Sequence, residues 1–204
     1  MKYYLSSYEI GNETEKLKKF VPKRKIGYIP NARDFTGADP ERRAKRNEND
    51  MRSLRELGFE VEMLNLQDYF EKQSDLKNKL EELGAIFISG GNVFVLRQAM
   101  KLSGLDEILK ELPDSDFLYS GYSAAGCVLA PSLKGMDIVD PLDTPYEKQK
   151  EIIWDGLGFV DFRFMPHWDS NHPESADIDK EIAYCKENNI PYKAIRDGEV
   201  IIIE

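Results

Sequence analysis

The sequence predicts an α/β protein with three layers, in which helices cover both faces of a mostly parallel sheet. Short apolar strand segments alternate along the chain with amphipathic or charged helical segments, the pattern of βα units. Two predicted strands, at 85–89 and 117–121, lead directly into glycine-containing turns, where ligands bind in such sheets. A chain of 204 residues suits one sizeable core, so we predict a single domain over 1–204.

The elements follow one another in a regular order. Strands are assigned to short segments that are apolar or alternate apolar with polar residues, and helices to segments whose apolar residues recur every three or four positions. The charged helix that carries Met51, Leu54 and Leu57 on one face and ends at Gly58 is an example. The prediction gives strands at 2–7, 25–30, 60–66, 85–89, 117–121, 136–140 and 159–165, helices at 13–20, 40–57, 74–83, 94–100, 105–112 and from 173, and a closing hairpin of 192–195 with 200–203.

Composition and charge limit the classes of partner. The formal net charge is −9, so the molecule as a whole repels nucleic acid and anionic membranes. The basic run 41–46 lies among acidic residues and is interpreted as the solvated face of a helix. No apolar run approaches the roughly 20 residues of a membrane span, and the N-terminus lacks an apolar signal core. We predict a cytoplasmic protein with neither nucleic acid nor membrane as partner.

Two cysteines, Cys127 and Cys185, are too few for a disulfide framework, and neither has a second sulfur or histidine at metal-ligand spacing. We predict two buried thiols, no cofactor and no metal. The oligomeric state is left open, with a homodimer as one candidate.

A serine stands at the tip of a predicted strand-to-helix turn, in Gly121-Tyr-Ser-Ala-Ala-Gly126. Such a turn strains the serine backbone and lifts the hydroxyl clear of the sheet. The strict pattern is G-x-S-x-G, and Ala125 replaces its last glycine. We predict that Ser123 is a nucleophile. The alternative is an ordinary turn that opens a helix.

A serine hydroxyl needs a base, and the two histidines lie in one loop. His167 follows Pro166 at the end of a predicted strand, so the sheet should bring it to the same edge as Ser123. His172 could assist, or could be a capping or loop residue. Acyl transfer also needs donors for the oxyanion, and the N–H groups of Gly91 and Ala124 are the candidates.

These stretches together resemble the peptidase E family of serine peptidases, which includes aspartyl dipeptidase and, more distantly, cyanophycinase. Ser89-Gly-Gly-Asn-Val-Phe-Val-Leu96 resembles the family's G-G-N-T-F-x-L, Gly121–Gly126 its G-x-S-A-G, and Pro166-His167 its P-H. The resemblance covers roughly Ile86 to the C-terminus. It implies a flavodoxin-like fold similar to the class I glutamine amidotransferases, with serine replacing their cysteine, and hydrolysis of dipeptides or short peptides through an acyl-enzyme. The implied roles are nucleophile for Ser123, base for His167, oxyanion donors for Gly91 and Ala124, and substrate contact for Asn92.

The third member of the triad is less defined. The family's acid lies near the C-terminus on a turn that Arg196-Asp197-Gly198 matches, with Asp197 where some relatives have glutamate. Asp137 and Asp140 are the rivals, because the family carries another active-site aspartate in that segment.

Two other hypotheses stay open. His167, Asp169, His172 and Glu174 all bear metal-ligand donors within one loop, which would suit a metal-dependent hydrolase. A catalytically inactive member that binds a small peptide-like ligand is the second.

Substrate preference is predicted from the charges after the histidine. Between His167 and Asp179 there is no arginine or lysine, so an N-terminal aspartate would lack a cation and should not be preferred. Asp169 or Glu174 could instead bind a substrate's α-ammonium or basic side chain. Cations from elsewhere would come first from Arg163, Arg196 and Lys134.

Overall fold

The computed structural model describes residues 1–21, 23–112 and 116–204. The strands are β1 (Lys2–Ser6), β2 (Lys25–Ile29), β3 (Glu60–Met63), β4 (Ala85–Ile88), β5 (Leu118–Tyr122), β6 (Arg163–Met165), β7 (Tyr192–Ala194) and β8 (Val200–Ile203). The α-helices are α1 (Thr14–Phe20), α2 (Pro40–Glu56), α3 (Gln73–Leu83), α4 (Val93–Ser103), α5 (Leu105–Lys110), α6 (Ala124–Cys127) and α7 (Ser175–Glu187). Short 3₁₀ helices cover Asn31–Arg33, Leu66–Tyr69 and Met136–Ile138.

The central sheet has the strand order β3-β2-β4-β5-β1-β8. Strands β1 to β5 run parallel, and β8 pairs antiparallel with β1. Ser6 pairs with Tyr122 and Ile88 with Gly121, so the carboxyl ends of β1, β4 and β5 lie side by side. The prediction of a mostly parallel sheet is confirmed, and its carboxyl edge is where ligands are expected.

Each face of the sheet is covered by helices. Side chains alternate along β1, so Leu5 joins one apolar cluster and Tyr4 the other. The first cluster includes α3, α4 and α5, and the second includes Leu17 of α1 and Leu54 of α2. This arrangement confirms the three predicted layers.

A second, two-stranded sheet carries the histidine loop. β6 and β7 run parallel, and Met165 packs with Ile178, Ile182 and Cys185 of α7 in a third apolar cluster. The main chain leaves β6 directly into Pro166 and His167, so this cluster sets the position of the loop.

The predicted closing hairpin is wrong. β7 pairs with β6, whereas β8 pairs with β1 in the central sheet. The Asp197-Gly198 turn has hairpin composition, but turn composition does not determine a strand's partner. Without β8, β1 would be the edge strand of the central sheet. β8 pairs with its free edge through four residue pairs.

Other predicted elements differ in detail. The predicted strand at 136–140 is a 3₁₀ helix, and the predicted strand at 159–165 is regular only from Arg163.

The two cysteines differ in exposure. Cys185 is buried, but Cys127 is only partly buried; both thiols are free. No helix in the described part of the chain combines the length and apolar composition that a membrane crossing needs.

Candidate active site

Ser123 lies at the tip of a strained turn between β5 and α6. Its backbone has φ 50° and ψ −110°, a conformation rare for a residue with a side chain. Neighbouring glycines permit the tight packing: a Cβ on Gly121 would lie 2.3 Å from the Ile88 carbonyl oxygen, and one on Gly126 would lie 2.4 Å from the Phe164 ring. The sequence therefore folds into the elbow that its small residues predict, and Ser123 borders an open cleft.

Two main-chain donors close to the elbow in the structure lack acceptors among the described residues. Gly91 has φ 146°, and a Cβ there would lie 2.3 Å from the Ala32 carbonyl oxygen, so only glycine fits. Ala124 is the first residue of α6, where N–H groups are not used by the helix itself. Among the described residues, neither the Gly91 N–H nor the Ala124 N–H has an acceptor. Both are therefore available to an oxyanion.

His167 is held against Asp197. Its Nδ1 lies 2.7 Å from Asp197 Oδ1, and the histidine side chain is only 2% exposed. Ser7 connects the two, because its Oγ accepts the His167 main-chain N–H at 2.8 Å and donates to Asp197 Oδ1 at 2.8 Å. The Asp197 N–H donates to Ser170 Oγ at 2.8 Å. The geometry brings together the predicted base and the predicted acid.

Ser7 and Ser170 were not predicted from the sequence to belong to the site. The available signal for Ser7 was its position: it follows β1, whose carboxyl end lies beside that of β5. Because β1 was not paired with β5 before the fold was known, that signal could not be used.

The ring of His167 has a defined environment on the side away from Asp197. Its Nε2 lies 3.9 Å from Glu174 Oε2, and the His172 ring stacks on it at 3.7 Å with an interplanar angle of 9°. The Tyr8 ring approaches it edge-on at 5.9 Å. Burial lowers the pKa of His167, while the hydrogen bond to Asp197 acts in the opposite direction. A neutral imidazole at neutral pH can accept a proton.

The two rival acids have other partners. Asp140 accepts the N–H of Val93 at 2.7 Å, and burial raises its pKa to about 7. Asp137 accepts the N–H of Gly135 at 3.1 Å. Across residues 1–21, 23–112 and 116–204, the carboxylate that bonds the His167 ring is that of Asp197.

The three residues predicted to contact substrate lie in different surroundings, and their role toward substrate stays a prediction. Asn92 caps α4: its Oδ1 accepts from Phe94 and Val95, its Nδ2 donates to the Pro141 carbonyl at 2.7 Å, and it is 5% exposed. Both polar atoms of its amide therefore make hydrogen bonds within the fold. Asp169 points away to the surface and pairs with Arg196 at 2.5 Å. Glu174 does border the cleft.

The cleft has a volume of about 210 Å³ and contains cations that the sequence did not indicate. Arg33 and Arg46 border it, although 41–46 was interpreted as a solvated face. Arg33 is bonded to Asp50 at 2.8 Å. The three cations named from the sequence are elsewhere: Arg163 is buried against Glu181, Arg196 pairs with Asp169, and the Lys134 carbonyl accepts from Arg163.

The four candidate metal ligands do not all converge. Donor atoms of His167, His172 and Glu174 lie within 4.8 Å of one another, but Asp169 is directed to Arg196. The two imidazoles are stacked almost parallel, so their in-plane lone pairs run side by side and do not meet at one point. His172 would have to rotate before both rings could bind one ion.

Comparison with known proteins identifies the family. The family model "Peptidase family S51" matches residues 6–204. "Uncharacterized peptidase Lmo0363" of Listeria monocytogenes is 29% identical over 119 residues, which are 58% of this chain and 56% of that protein. "Peptidase E" of Streptomyces coelicolor is 30% identical over 134 residues, 62% of this chain and 51% of that protein. The aligned part thus spans only about half the length of these two relatives.

The fold is also that of a solved structure described as a putative peptidase E protein from Listeria monocytogenes. It aligns with a TM-score of 0.70 and 22% identity, over 100% of this chain and 98% of that one. Taken with the match over 6–204, this makes the chain a member of peptidase family S51.

Proposed function

We propose that the chain is a serine exopeptidase that hydrolyses dipeptides or short peptides. Ser123 is the nucleophile, His167 the general base and Asp197 the group that orients the imidazole. The observation that carries the proposal is the 2.7 Å contact between His167 and Asp197 at the wall of a cleft that Ser123 also borders. That the protein is cytoplasmic, and that it needs neither a metal nor a cofactor, are predictions.

The reaction follows from these roles. Ser123 Oγ attacks the peptide carbonyl carbon while His167 Nε2 takes the hydroxyl proton, and the oxyanion accepts hydrogen bonds from Gly91 and Ala124. His167 then gives the proton to the leaving amine as the C–N bond breaks, which leaves an acyl-enzyme. Water, deprotonated by His167, then attacks the ester carbonyl; the bond to Ser123 Oγ breaks as His167 returns the proton to that oxygen, which releases the acid and restores the free enzyme.

The alternative of an inactive binding protein has less support. An inactive member has no need for a strained serine, a buried histidine–aspartate pair or unused main-chain donors. Strain at Ser123, φ 60° at His167 and φ 146° at Gly91 all occur at one cleft. Backbone strain of this kind costs stability and persists where function needs it.

A fluorophosphonate probe tests the nucleophile. Wild type should gain the mass of one probe at Ser123, and Ser123→Ala should gain none and should hydrolyse no member of a dipeptide panel. Ser53→Ala, an exposed serine on α2, is the matched control and should behave as wild type. Labelling that persists in Ser123→Ala, or no labelling of folded wild type, would overturn the assignment.

A further inference from the structure

A second cavity joins the active-site cleft on one side. It has a volume of about 280 Å³ and shares Arg33, Phe35 and Arg46 with the cleft. The first turns of α2 add Arg42 and Arg43 to its wall, and the N-cap residue Asp39 adds one carboxylate, whose Oδ1 accepts the N–H groups of Glu41 and Arg42. We call this cavity, defined by Phe35, Arg42, Arg43 and Arg46, the basic annex.

Two cations of the basic annex have no acidic partner. Arg43 pairs with Asp34 at 2.8 Å, and Arg33 pairs with Asp50 at 2.8 Å. By contrast, the guanidinium groups of Arg42 and Arg46 make neither an ion pair nor a hydrogen bond with any described residue, and both side chains are exposed. In a chain of net charge −9, two neighbouring arginines that no carboxylate pairs, Asp39 being engaged as the helix cap, provide a local site for an anion.

The part of the cleft outside the basic annex contains carboxylates. Glu9 and Glu174 border the cleft but not the basic annex. Ser123 and Glu174 also border a small cavity of about 20 Å³, whose wall includes Asp140. Ser123, Glu9 and Glu174 therefore border the cleft without bordering the basic annex, whereas Arg33, Phe35 and Arg46 border both the cleft and the basic annex.

We propose that the basic annex binds a carboxylate of the leaving group, on the C-terminal side of the bond that is cleaved. The proposal rests on the proposed function. A substrate's α-ammonium would face Glu174, its first carbonyl would meet Ser123, and the following residue would extend toward Arg46 and Arg42. Two residues of extended chain span about 7 Å, so the α-carboxylate of a dipeptide or an acidic side chain at the second position is the ligand chemistry. Exposed Phe35 offers that residue an apolar contact.

The experiment measures kcat/KM for Ala-Leu, Ala-Leu-amide and Ala-Glu-amide with wild type, Arg46→Gln, Arg42→Gln and the double variant. Loss of a charge-assisted hydrogen bond should lower kcat/KM about tenfold or more. A loss for Ala-Leu but not its amide identifies the α-carboxylate, and a loss for Ala-Glu-amide identifies the side chain. Lys45→Gln, which removes a cation from the same helix outside the annex, should leave all three values unchanged.

Binding of the same peptides to Ser123→Ala, measured by calorimetry, tests the site without turnover. The double variant in the Ser123→Ala background should weaken binding of Ala-Leu or Ala-Glu-amide, which carry a carboxylate, and not of Ala-Leu-amide. An equal effect on peptides with and without a carboxylate, or no effect of the double variant, would overturn the inference. Fluorophosphonate labelling of Ser123 in every arginine variant keeps this failure separate from a failure of the proposed function.

Discussion

The His167 ring is restrained at its main chain, at Nδ1 and on one face. The His167 N–H donates to Ser7, Nδ1 meets Asp197 at 2.7 Å, and His172 stacks on the ring at 3.7 Å. Restraint at Nδ1 selects the tautomer whose free nitrogen, Nε2, is directed away from Asp197. The ring can then act as a base without first losing orientational freedom.

Replacing Asp197 tests this restraint. Asp197→Asn keeps the size of the side chain but offers an N–H to Nδ1, so the wrong tautomer is stabilised and kcat should fall by about three orders of magnitude or more. Circular dichroism should show an unchanged fold. Asp169→Asn, an exposed carboxylate of the same loop, is the control and should retain nearly full kcat. An unchanged kcat in Asp197→Asn would show that the contact with Asp197 does not orient His167 for the reaction.

The pH dependence should report the environment of His167. Burial lowers its pKa, so kcat/KM should fall only as pH drops below the ordinary value of 6.5. His172 lowers this pKa and Glu174 raises it. His172→Asn should therefore move the acidic limb to higher pH, and Glu174→Gln should move it to lower pH. Shifts in the same direction for both variants would contradict the assignment of the limb to His167.

Individual residues were predictable from sequence where the signal is local. Ser123 and His167 follow predicted strands and carry small-residue or proline neighbours, so their position at a sheet edge could be inferred. Ser7 contacts His167 across 160 positions of sequence, and Arg46 borders the cleft only because α2 packs beside β5's carboxyl end. Contacts of that kind depend on strand order, which the sequence did not provide.

The turn between β4 and α4 is an element whose shape depends on glycine. Gly91→Ala would place a Cβ 2.3 Å from the Ala32 carbonyl oxygen at φ 146°, so the turn must shift and its N–H must move. Loss of one oxyanion donor lowers kcat by about 10²–10³. Gly58→Ala is the control: it also has positive φ, at 91°, but no atom lies within 4 Å. Gly58→Ala should lower the free energy of unfolding by about 1 kcal/mol and leave kcat unchanged. Comparable losses of kcat in Gly91→Ala and Gly58→Ala would refute the donor role of Gly91.

Elements with strong periodicity were predicted well, and strand pairing was not. The parallel βα units of the first 122 residues follow the prediction closely. The segment at 136–140 became a 3₁₀ helix because its aspartates bind main-chain N–H groups: Asp137 bonds Gly135 and Asp140 bonds Val93. Side chains of this type compete with strand pairing.

Across the whole molecule, charge is distributed unevenly around the cleft. Glu9 and Glu174 border the cleft with Ser123 but not the basic annex, whereas Arg46, which makes no ion pair with a described residue, borders both. An N-terminal aspartate would meet like charge near the nucleophile, which is unfavourable. We expect kcat/KM for Ala-Leu and Lys-Leu to exceed that for Asp-Leu. A strong preference for Asp-Leu would mean that Arg33 or Arg46 serves the N-terminal residue instead.

The global stability should depend on a partly buried carboxyl group near the site. Asp140 accepts the Val93 N–H at the start of α4, and burial raises its pKa from the ordinary value of 3.8 to about 7. Between these values the unfolded chain has lost the Asp140 proton and the folded chain keeps it. The folded state then binds more protons, so this group makes stability fall as pH rises from about 4 to about 7.

Asp140→Asn tests this linkage, because an amide mimics the protonated acid and cannot ionise. Wild type should lose a few kcal/mol of unfolding free energy through this group between pH 4 and 7, and the variant should lose less over the same range. Thermal unfolding midpoints measured at intervals across that range give the slope for each protein. Asp161→Asn, an exposed carboxylate, is the control and should follow the wild-type slope. Parallel curves for wild type and Asp140→Asn would show that Asp140 is ionised in the folded protein throughout, and that its hydrogen bond to Val93 outweighs its burial.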